Sequence, residues 1–138
     1  MASDRGTAAE LQPDELDPAW LEDCDHLHVS GYTLMVDGSR MAGLAALDRA
    51  RLRRMTRSVD VASAGPLADA GAERFLEWVD GADVLFANES EAAFLSGQPH
   101  PHPRESLSVS LDGAATAADI LSRHVGTVVV KLGPRGAL

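Results

Sequence analysis

The sequence predicts an α/β fold in three layers, with a mostly parallel sheet between two layers of helices. Helical segments separate all four candidate strands, and the strands over 83–87 and 127–130 are nearly continuous apolar runs. Runs of this kind are typical of parallel strands that are covered on both faces. With 138 residues, 45% of them hydrophobic, the chain has the length and composition of one soluble domain with one core.

The first half of the chain predicts a strand, a long helix and a second strand. We expect a turn or two of helix over 13–21, followed by a strand over 26–33. The long helix is expected over 40–57, with Ser39 as its N-cap, and the second strand over 58–63. An apolar stripe on the long helix is predicted to face the core: Met41, Leu44, Ala45, Leu52 and Met55.

The second half repeats this alternation of helix and strand. Helices are expected over 67–79, 90–96 and 114–125, and strands over 83–88 and 127–132. No linker-like segment divides the chain, so we expect a single domain.

Charge and cysteine content restrict the class of protein. A formal net charge of −9 repels nucleic acid and anionic membranes. Six arginines lie within 40–57 and could contact nucleic acid, but on a helix most of them fall away from the apolar stripe, which favours a solvated face. The single cysteine, Cys24, excludes an internal disulfide, and no signal peptide or spanning segment is visible. We therefore expect a cytoplasmic protein with no nucleic-acid or membrane partner.

Parallel strands joined by right-handed crossovers place their carboxyl ends at one edge of the sheet, where ligands bind. In this chain four places meet that condition. They are Gly31, 60–63, 88–91 and 131–136. We expect any chemistry to be located at these positions.

The segment Asn88-Glu89-Ser90-Glu91 follows a buried strand and begins a helix. Carboxylate and amide oxygens at a helix N-terminus suit Mg²⁺, which prefers hard oxygen ligands together with water and phosphate. The alternative is that Asn88 or Ser90 caps the helix while the glutamates complement its dipole. The spacing alone favours neither.

The segment Lys131-Leu-Gly-Pro-Arg-Gly136 follows the last strand and carries two glycines three positions apart. Glycines let backbone amides approach a phosphate or a nucleotide, and lysine supplies a point charge. The order of residues excludes a Walker A loop, because the lysine comes first. The alternative is a plain turn.

Three stretches, in this order, resemble the middle of a ribokinase/PfkB-family carbohydrate kinase: SVDVASAGPL (58–67), ADVLFANESEAAFLSG (82–97) and VVVKLGPRGAL (128–138). The family's Asn-x-x-Glu motif corresponds to Asn88 and Glu91, and its strand leading into Gly-x-x-Gly-Ala to the segment after Lys131. The segments around Asp4-Arg5-Gly6 and LHVSGY (27–32) are also similar, although Ala8 stands where many members have asparagine.

The resemblance implies phosphoryl transfer from ATP to a sugar hydroxyl, with Mg²⁺ as cofactor. It implies that Asn88 and Glu91 organise the metal and the phosphates, partly through water. It places three residues beside the nucleotide: Lys131, Gly133 and Gly136. Asp60 would lie at the phosphate end of the cleft, with a loop-capping role as the alternative.

The resemblance also implies that residues 1–138 form one partial, ribokinase-like kinase domain. The family's sugar pocket and lid strands are expected before Met1, and its Gly-Ala-Gly-Asp anion hole with the catalytic aspartate is expected beyond Leu138. Without this general base, which is typically worth roughly 10²–10⁴-fold, we expect no kinase activity from this chain alone.

Two other classes of function compete with this interpretation. A phospho-receiver also uses Asp and Lys at strand ends, but no adjacent acidic pair follows the first strand here. A fragment of this kind could also act as an interaction partner, associating through its exposed sheet edges.

Several residues invite a metal-binding or ligand-stacking interpretation that we do not favour. The spacing of His26, His28, Cys24, His100 and His102 matches no established metal site, so we expect structural or exposed roles for them. Three aromatic residues are predicted to anchor the core: Trp20, Phe75 and Trp78.

Overall fold

Four parallel strands form a single sheet in chain order. The structure is a computed structural model, and it describes residues 10–62, 64–98 and 110–138. The strands are β1 (His26–Ser30), β2 (Thr56–Asp60), β3 (Val84–Asn88) and β4 (Thr127–Lys131). The N-terminal arm at 4–8, Ser63 and the two histidines at 100 and 102 lie outside the described residues.

Helices connect these strands. The α-helices of the described residues are α1 (Gly31–Met35), α2 (Asp37–Leu52), α3 (Ala64–Ala70), α4 (Ala72–Val79), α5 (Glu89–Leu95) and α6 (Leu111–Leu121). The helical turns expected over 13–21 are confirmed as two short 3₁₀ helices, Pro13–Glu15 and Pro18–Leu21. A third, Gly133–Arg135, follows β4. None of the described helices is long and apolar enough to cross a membrane.

The strand register brings the carboxyl ends of all four strands to one edge. Ser30 lies beside Asp60, Asp60 beside Phe86, and Asn88 beside Lys131. The strand-end positions selected from the sequence therefore meet at this edge, as the parallel arrangement predicts.

The core lies between the sheet and one layer of helices. Each strand contributes buried residues from the same face of the sheet to this core, including Val29, Val59, Leu85 and Val130. The helices contact one another in series from α2 through α1, α3 and α5 to α6, which places them in one layer. Consecutive strand order with right-handed crossovers requires this arrangement.

The predicted α/β class with a parallel sheet is confirmed, and in the described residues the second face of this sheet is partly exposed. On this face His28 is exposed, whereas Phe86 and Val129 are half-buried. The apolar character of β3 and β4 is typical of parallel sheets that are buried on both faces. In the described part of the chain the helices supply one of the two expected layers.

The first predicted strand is too long. β1 ends at Ser30 rather than at residue 33, because the chain turns into α1 at Gly31. A Cβ atom at Gly31 would lie 2.7 Å from the carbonyl oxygens of both Asp60 and Val61. Glycine thus allows α1 to begin directly against the end of β2.

The long helix begins earlier than predicted. α2 starts at Asp37, its N-cap is Val36, and Ser39 lies inside the helix rather than at its cap. The Ser39 hydroxyl donates to the carbonyl oxygen of Thr33 in α1. Ser39 therefore joins α1 to α2 rather than beginning the helix.

The predicted apolar stripe of α2 is also partly wrong, since Met41 and Leu52 are 61% and 70% exposed. A different face is buried: Ser39, Ala42, Gly43, Leu47 and Ala50. A Cβ atom at Gly43 would lie only 2.8 Å from Cδ2 of Leu34. α1 and α2 pack so closely that small residues, rather than the most hydrophobic ones, define the contact face.

Other boundaries differ modestly. The helix expected over 67–79 is two helices, α3 and α4, which are separated at Gly71 by a positive φ of 85°. β2 covers Thr56–Asp60 rather than 58–63, and α6 covers Leu111–Leu121 rather than 114–125. These shifts leave the order of elements unchanged.

The arginines of α2 hold the N-terminal segment in place. The Arg49 guanidinium donates to the carbonyl oxygens of Leu16 and Pro13 at 2.7 and 2.9 Å. Arg53 donates to the carbonyl oxygen of Pro18 at 3.1 Å. Part of the basic run is therefore engaged within the chain rather than simply solvated.

The aromatic residues differ in burial. Phe75 is fully buried, as predicted, whereas Trp20 is 62% exposed and does not anchor the core. Trp20 lies on the second 3₁₀ turn, which contributes no buried residue. Trp78 is half-buried beneath Arg40, whose guanidinium carbon lies 4.4 Å from the ring centre.

Candidate functional site

The carboxylate of Asp60 and the ammonium of Lys131 form an ion pair at the carboxyl edge of the sheet. Lys131 Nζ lies 2.9 and 2.7 Å from the two carboxylate oxygens. Asp60 ends β2 and Lys131 ends β4, so the lysine side chain reaches across the intervening β3. Two of the predicted site residues are thereby in direct contact.

Asp60 also shapes the loop that follows β2. Its Oδ1 accepts a hydrogen bond from the backbone amide of Ala62 at 3.2 Å. Ala62 has a φ of 67°, which is uncommon for a residue with a Cβ atom. Asp60 therefore caps this loop, as one of its two predicted roles requires, and it also forms the ion pair with Lys131.

Asn88 and Glu91 form a reciprocal cap at the start of α5. Asn88 Oδ1 accepts from the Glu91 amide at 2.9 Å, and Glu91 Oε2 accepts from the Asn88 amide at 2.8 Å. This capping box satisfies two backbone donors that the helix would otherwise leave unpaired. The capping interpretation is therefore confirmed, while the predicted metal role stays a prediction.

Glu91 is buried beside the ion pair. Burial raises the pKa of its carboxyl group; the hydrogen bond from Asn88 and the positive charge of Lys131 oppose this shift, and Asp60 adds to it. Glu91 lies in the first turn of α5, directly after the strand between Asp60 and Lys131, and we group these three charged residues as one cluster. Asn88 belongs to it as well, because it is the strand-register neighbour of Lys131.

The glycines after β4 form an open turn. Gly133 and Gly136 have φ values of 60° and 89°, and an added Cβ atom would meet nothing within 4 Å at either position. Their backbone is thus accessible and adopts conformations that favour glycine. The chain then turns back, and Ala137 forms an antiparallel bridge with Lys131.

Arg135 ties this turn to α5 through an ion pair with Glu89. This contact was not predicted: Arg135 was assigned no partner, and Glu89 was expected only as part of the 88–91 segment, at the metal or at the helix dipole. Their contact joins the predicted nucleotide side to the predicted metal side of the edge. It could not be inferred from spacing, because 46 positions separate the two residues.

The oxygen donors of this edge suit a magnesium ion that is held only in part by protein. No three His, Cys, Asp or Glu side chains in the described ranges cluster as a metal-binding group. Mg²⁺ commonly takes one or two carboxylates and completes its shell with water and phosphate oxygens. Glu91 and Asn88 each retain acceptor capacity beyond the cap, because each oxygen has two lone pairs.

The histidines of β1 have structural contacts instead. His26 Nε2 and His28 Nδ1 both lie 2.8 Å from Oγ of Ser58, and His26 Nδ1 lies 2.7 Å from Oγ1 of Thr56. Cys24 is exposed, and its thiol is 3.6 Å from the carbonyl oxygen of Trp20. These contacts agree with the structural roles expected for them.

The fold resembles those of several solved kinases. The adenosine kinase from Sinorhizobium meliloti superposes with a TM-score of 0.73 at 19% identity, over 94% of this chain and 36% of that one. For the fructokinase from Vibrio cholerae O395, in its fructose, ADP and calcium ion bound form, the TM-score is 0.66 at 25% identity, over 93% and 38%.

The aminoimidazole riboside kinase from Salmonella enterica, complexed with aminoimidazole riboside and an ATP analog, superposes with a TM-score of 0.68 at 21% identity. The alignment covers 94% of this chain and 40% of that one. The chain thus spans about two fifths of the length of these kinases. None of the curated proteins compared is significantly similar in sequence.

The family model of the pfkB family carbohydrate kinases matches residues 1–138. This match extends over the whole chain, and the parallel sheet with its helices agrees with the ribokinase-like fold of the solved relatives. The chain belongs to the pfkB family of carbohydrate kinases.

Proposed function

We propose that this chain forms the part of a sugar kinase that binds the metal ion and the nucleotide. Such a kinase transfers a phosphoryl group from ATP to a sugar hydroxyl. The observation that carries the proposal is the gathering of Asp60, Asn88, Glu91 and Lys131 at one sheet edge. Family membership favours this function over a phospho-receiver. We further propose that the protein acts in the cytoplasm on small-molecule sugar and nucleotide substrates.

Each part of the edge has a distinct task in this proposal. Lys131 provides a positive charge for a phosphate, and the open backbone at Gly133 and Gly136 borders the nucleotide. Glu91 and Asn88 hold Mg²⁺ through their remaining lone pairs and through water. The metal, when bound, neutralises phosphate charge and thereby assists transfer.

The chain alone is proposed to bind nucleotide without transferring the phosphoryl group. A sugar hydroxyl must lose its proton as it attacks the phosphoryl group. In the family this proton is accepted by an aspartate in a Gly-Ala-Gly-Asp segment. These 138 residues contain no such segment. Binding and positioning can therefore be measured separately from chemistry in this chain.

The direct test is an NMR titration of the isotopically labelled chain with ATP, with and without Mg²⁺. We expect chemical-shift changes at 88–91 and 131–136, larger when Mg²⁺ is present, and no sugar-dependent ADP production. Changes confined to other surfaces, or no change in a folded sample, would contradict the binding proposal. Sugar-dependent ADP production would instead contradict the proposed inactivity of the isolated chain.

The less covered sheet face offers a route to self-association. Phe86 and Val129 on that face are half-buried, and β1 is an edge strand in the described sheet. Unpaired edges and apolar faces promote contacts with other chains. We propose weak self-association, which size-exclusion chromatography at several concentrations tests; a monodisperse monomer at every concentration would contradict it.

A further inference from the structure

We propose that Asp60 is an internal counterion of Lys131, and that an anionic ligand binds the Lys131 ammonium by displacing the Asp60 carboxylate. The ligand class is a phosphate or polyphosphate, which on the function proposed above is the phosphate chain of ATP. The inference rests on that proposed function and adds a regulatory contact to it.

The geometry supports a counterion role. Both carboxylate oxygens lie within 2.9 Å of the same Nζ. Asp60 therefore accepts the hydrogen bonds of the ammonium that a phosphate would otherwise accept. The two residues are not register neighbours: Asp60 pairs with Phe86, whereas Lys131 pairs with Asn88. The lysine side chain therefore crosses β3 to reach its partner. A different rotamer of Lys131 would separate the ammonium from the Asp60 carboxylate.

The type of residue supports a pair that can separate. Lys131 is the only lysine among the twelve basic residues of the chain. Arginine would hold a carboxylate through two fixed parallel hydrogen bonds, whereas a lysine ammonium is a point charge on a flexible stem. The side chains of Lys131 and Asp60 are 44% and 31% exposed, and partly exposed pairs of this kind are weak. An incoming anion can therefore compete with Asp60.

The displaced carboxylate would need a new partner. Glu91 begins the helix that follows β3, the strand between Asp60 and Lys131, so a second acidic group lies on this edge and repels the Asp60 carboxylate once Lys131 leaves. A divalent cation that arrives with the polyphosphate would reduce this repulsion. We therefore expect Asp60 to weaken the binding of a metal-free anion more than the binding of the same anion with Mg²⁺.

The experiment compares wild type with Asp60→Asn, using pyrophosphate or ATP in EDTA and then in Mg²⁺. Calorimetry gives the affinity, and the Cε–Hε signal of the single lysine reports directly on Lys131. We expect Asp60→Asn to bind the metal-free anions roughly 3- to 10-fold more tightly, as expected for loss of a weak competing pair, and to gain less from Mg²⁺. Equal or weaker metal-free binding by the variant would overturn the inference.

Two further variants keep the result interpretable. Asp48→Asn removes the same charge and also breaks a surface ion pair, to Arg51 at 2.8 Å, but lies on α2 away from the edge. It should leave anion affinity unchanged. Asp60→Ser provides a hydroxyl oxygen that can accept the hydrogen bond from the Ala62 amide. It should therefore reproduce the tighter binding if Asp60→Asn does not fold.

The outcomes separate this inference from the proposed function. If wild type binds ATP with Mg²⁺ while Asp60→Asn shows no gain for metal-free anions, the counterion role is wrong and the function stands. If only Asp60→Asn binds anions, the counterion role is supported and nucleotide binding by the natural chain is contradicted. If neither folded protein binds, both are overturned.

Discussion

Gly31 lies directly against Asp60: a Cβ atom at Gly31 would be 2.7 Å from the Asp60 carbonyl oxygen. This contact fixes where β1 gives way to α1 and sets the position of the strand that carries Asp60. The same added atom would lie 2.7 Å from the Val61 carbonyl oxygen. The third nearest atom is Cε2 of the fully buried Phe75 ring, at 3.1 Å, so the surroundings have little room to adjust.

Gly31→Ala is therefore expected to destabilise the fold by about 1–3 kcal/mol, as overpacking typically does. Thermal unfolding should show a fall in Tm of at least several degrees. Gly65→Ala is the control, since Gly65 lies in α3 and an added Cβ atom there would meet nothing within 4 Å. The control should lose less stability than Gly31→Ala, because its added Cβ atom meets no neighbouring atom and only the restriction imposed by the following Pro66 opposes it. An equal loss in both variants would contradict the steric explanation.

The order of elements and the location of the site could be predicted from the sequence, because both depend on local patterns. Apolar runs identified β3 and β4, and parallel topology predicted that 88–91 and 131–136 share one edge; the direct pairing of Asn88 with Lys131 depends on strand order and register, which were not predicted. The ion pair between Lys131 and Asp60 could not be predicted, because 71 positions separate the two residues. Its existence depends on side-chain reach across β3, which no periodicity encodes.

Errors arose where tertiary packing overrides local preference. The most hydrophobic residues of α2 predicted the wrong contact face, because α1 approaches so closely that Gly43 is needed. The size of Trp20 predicts a buried position, yet it lies on a 3₁₀ turn that contributes no buried residue. In both cases burial depends on the position of the residue in the fold and not on the residue type alone.

Arg49 is expected to anchor the N-terminal segment to α2. Its two hydrogen bonds to Pro13 and Leu16 link positions more than 30 residues apart. Arg49→Met should remove charge-assisted bonds worth about 1–3 kcal/mol and speed hydrogen exchange over 13–21. Arg51→Met removes an exposed pair with Asp48 and should change stability by at most about 1 kcal/mol. Unchanged exchange over 13–21 in Arg49→Met would argue against the anchoring role.

Gly136 is expected to matter for nucleotide binding through its backbone. Gly136→Ala places a Cβ atom at a φ of 89° and a ψ of −137°, a conformation used almost only by glycine, and should cost about 1–3 kcal/mol of stability. Gly81→Ala provides a control at a φ of 72°, again with open space around the added atom. Both variants should lose stability, but only Gly136→Ala should weaken ATP binding, by roughly 10-fold or less. Equal ATP affinity in the two variants would remove Gly136 from the site.

Glu91 links the stability of the chain to pH and to Mg²⁺. Burial raises the pKa of its carboxyl group above the ordinary value of 4.5, so the folded state binds this proton more tightly than the unfolded state does. The contribution of Glu91 to folding therefore falls as pH rises from about 4.5 through the raised pKa, and the loss persists at neutral pH. Mg²⁺ competes with the same proton, so Mg²⁺ affinity should increase over that pH range.

Glu91→Gln separates the cap from the charge, because glutamine can complete a capping box without ionising. The variant should fold with equal or higher Tm at pH 7 and lose the Glu91 part of the pH dependence, while the effect of Mg²⁺ on ATP binding falls several-fold. Glu89→Gln removes the same charge from the neighbouring residue that contacts Arg135 and serves as the control. If Mg²⁺ dependence survives in Glu91→Gln and falls in Glu89→Gln, the metal-side carboxylate is Glu89, and Glu91 serves only as the cap.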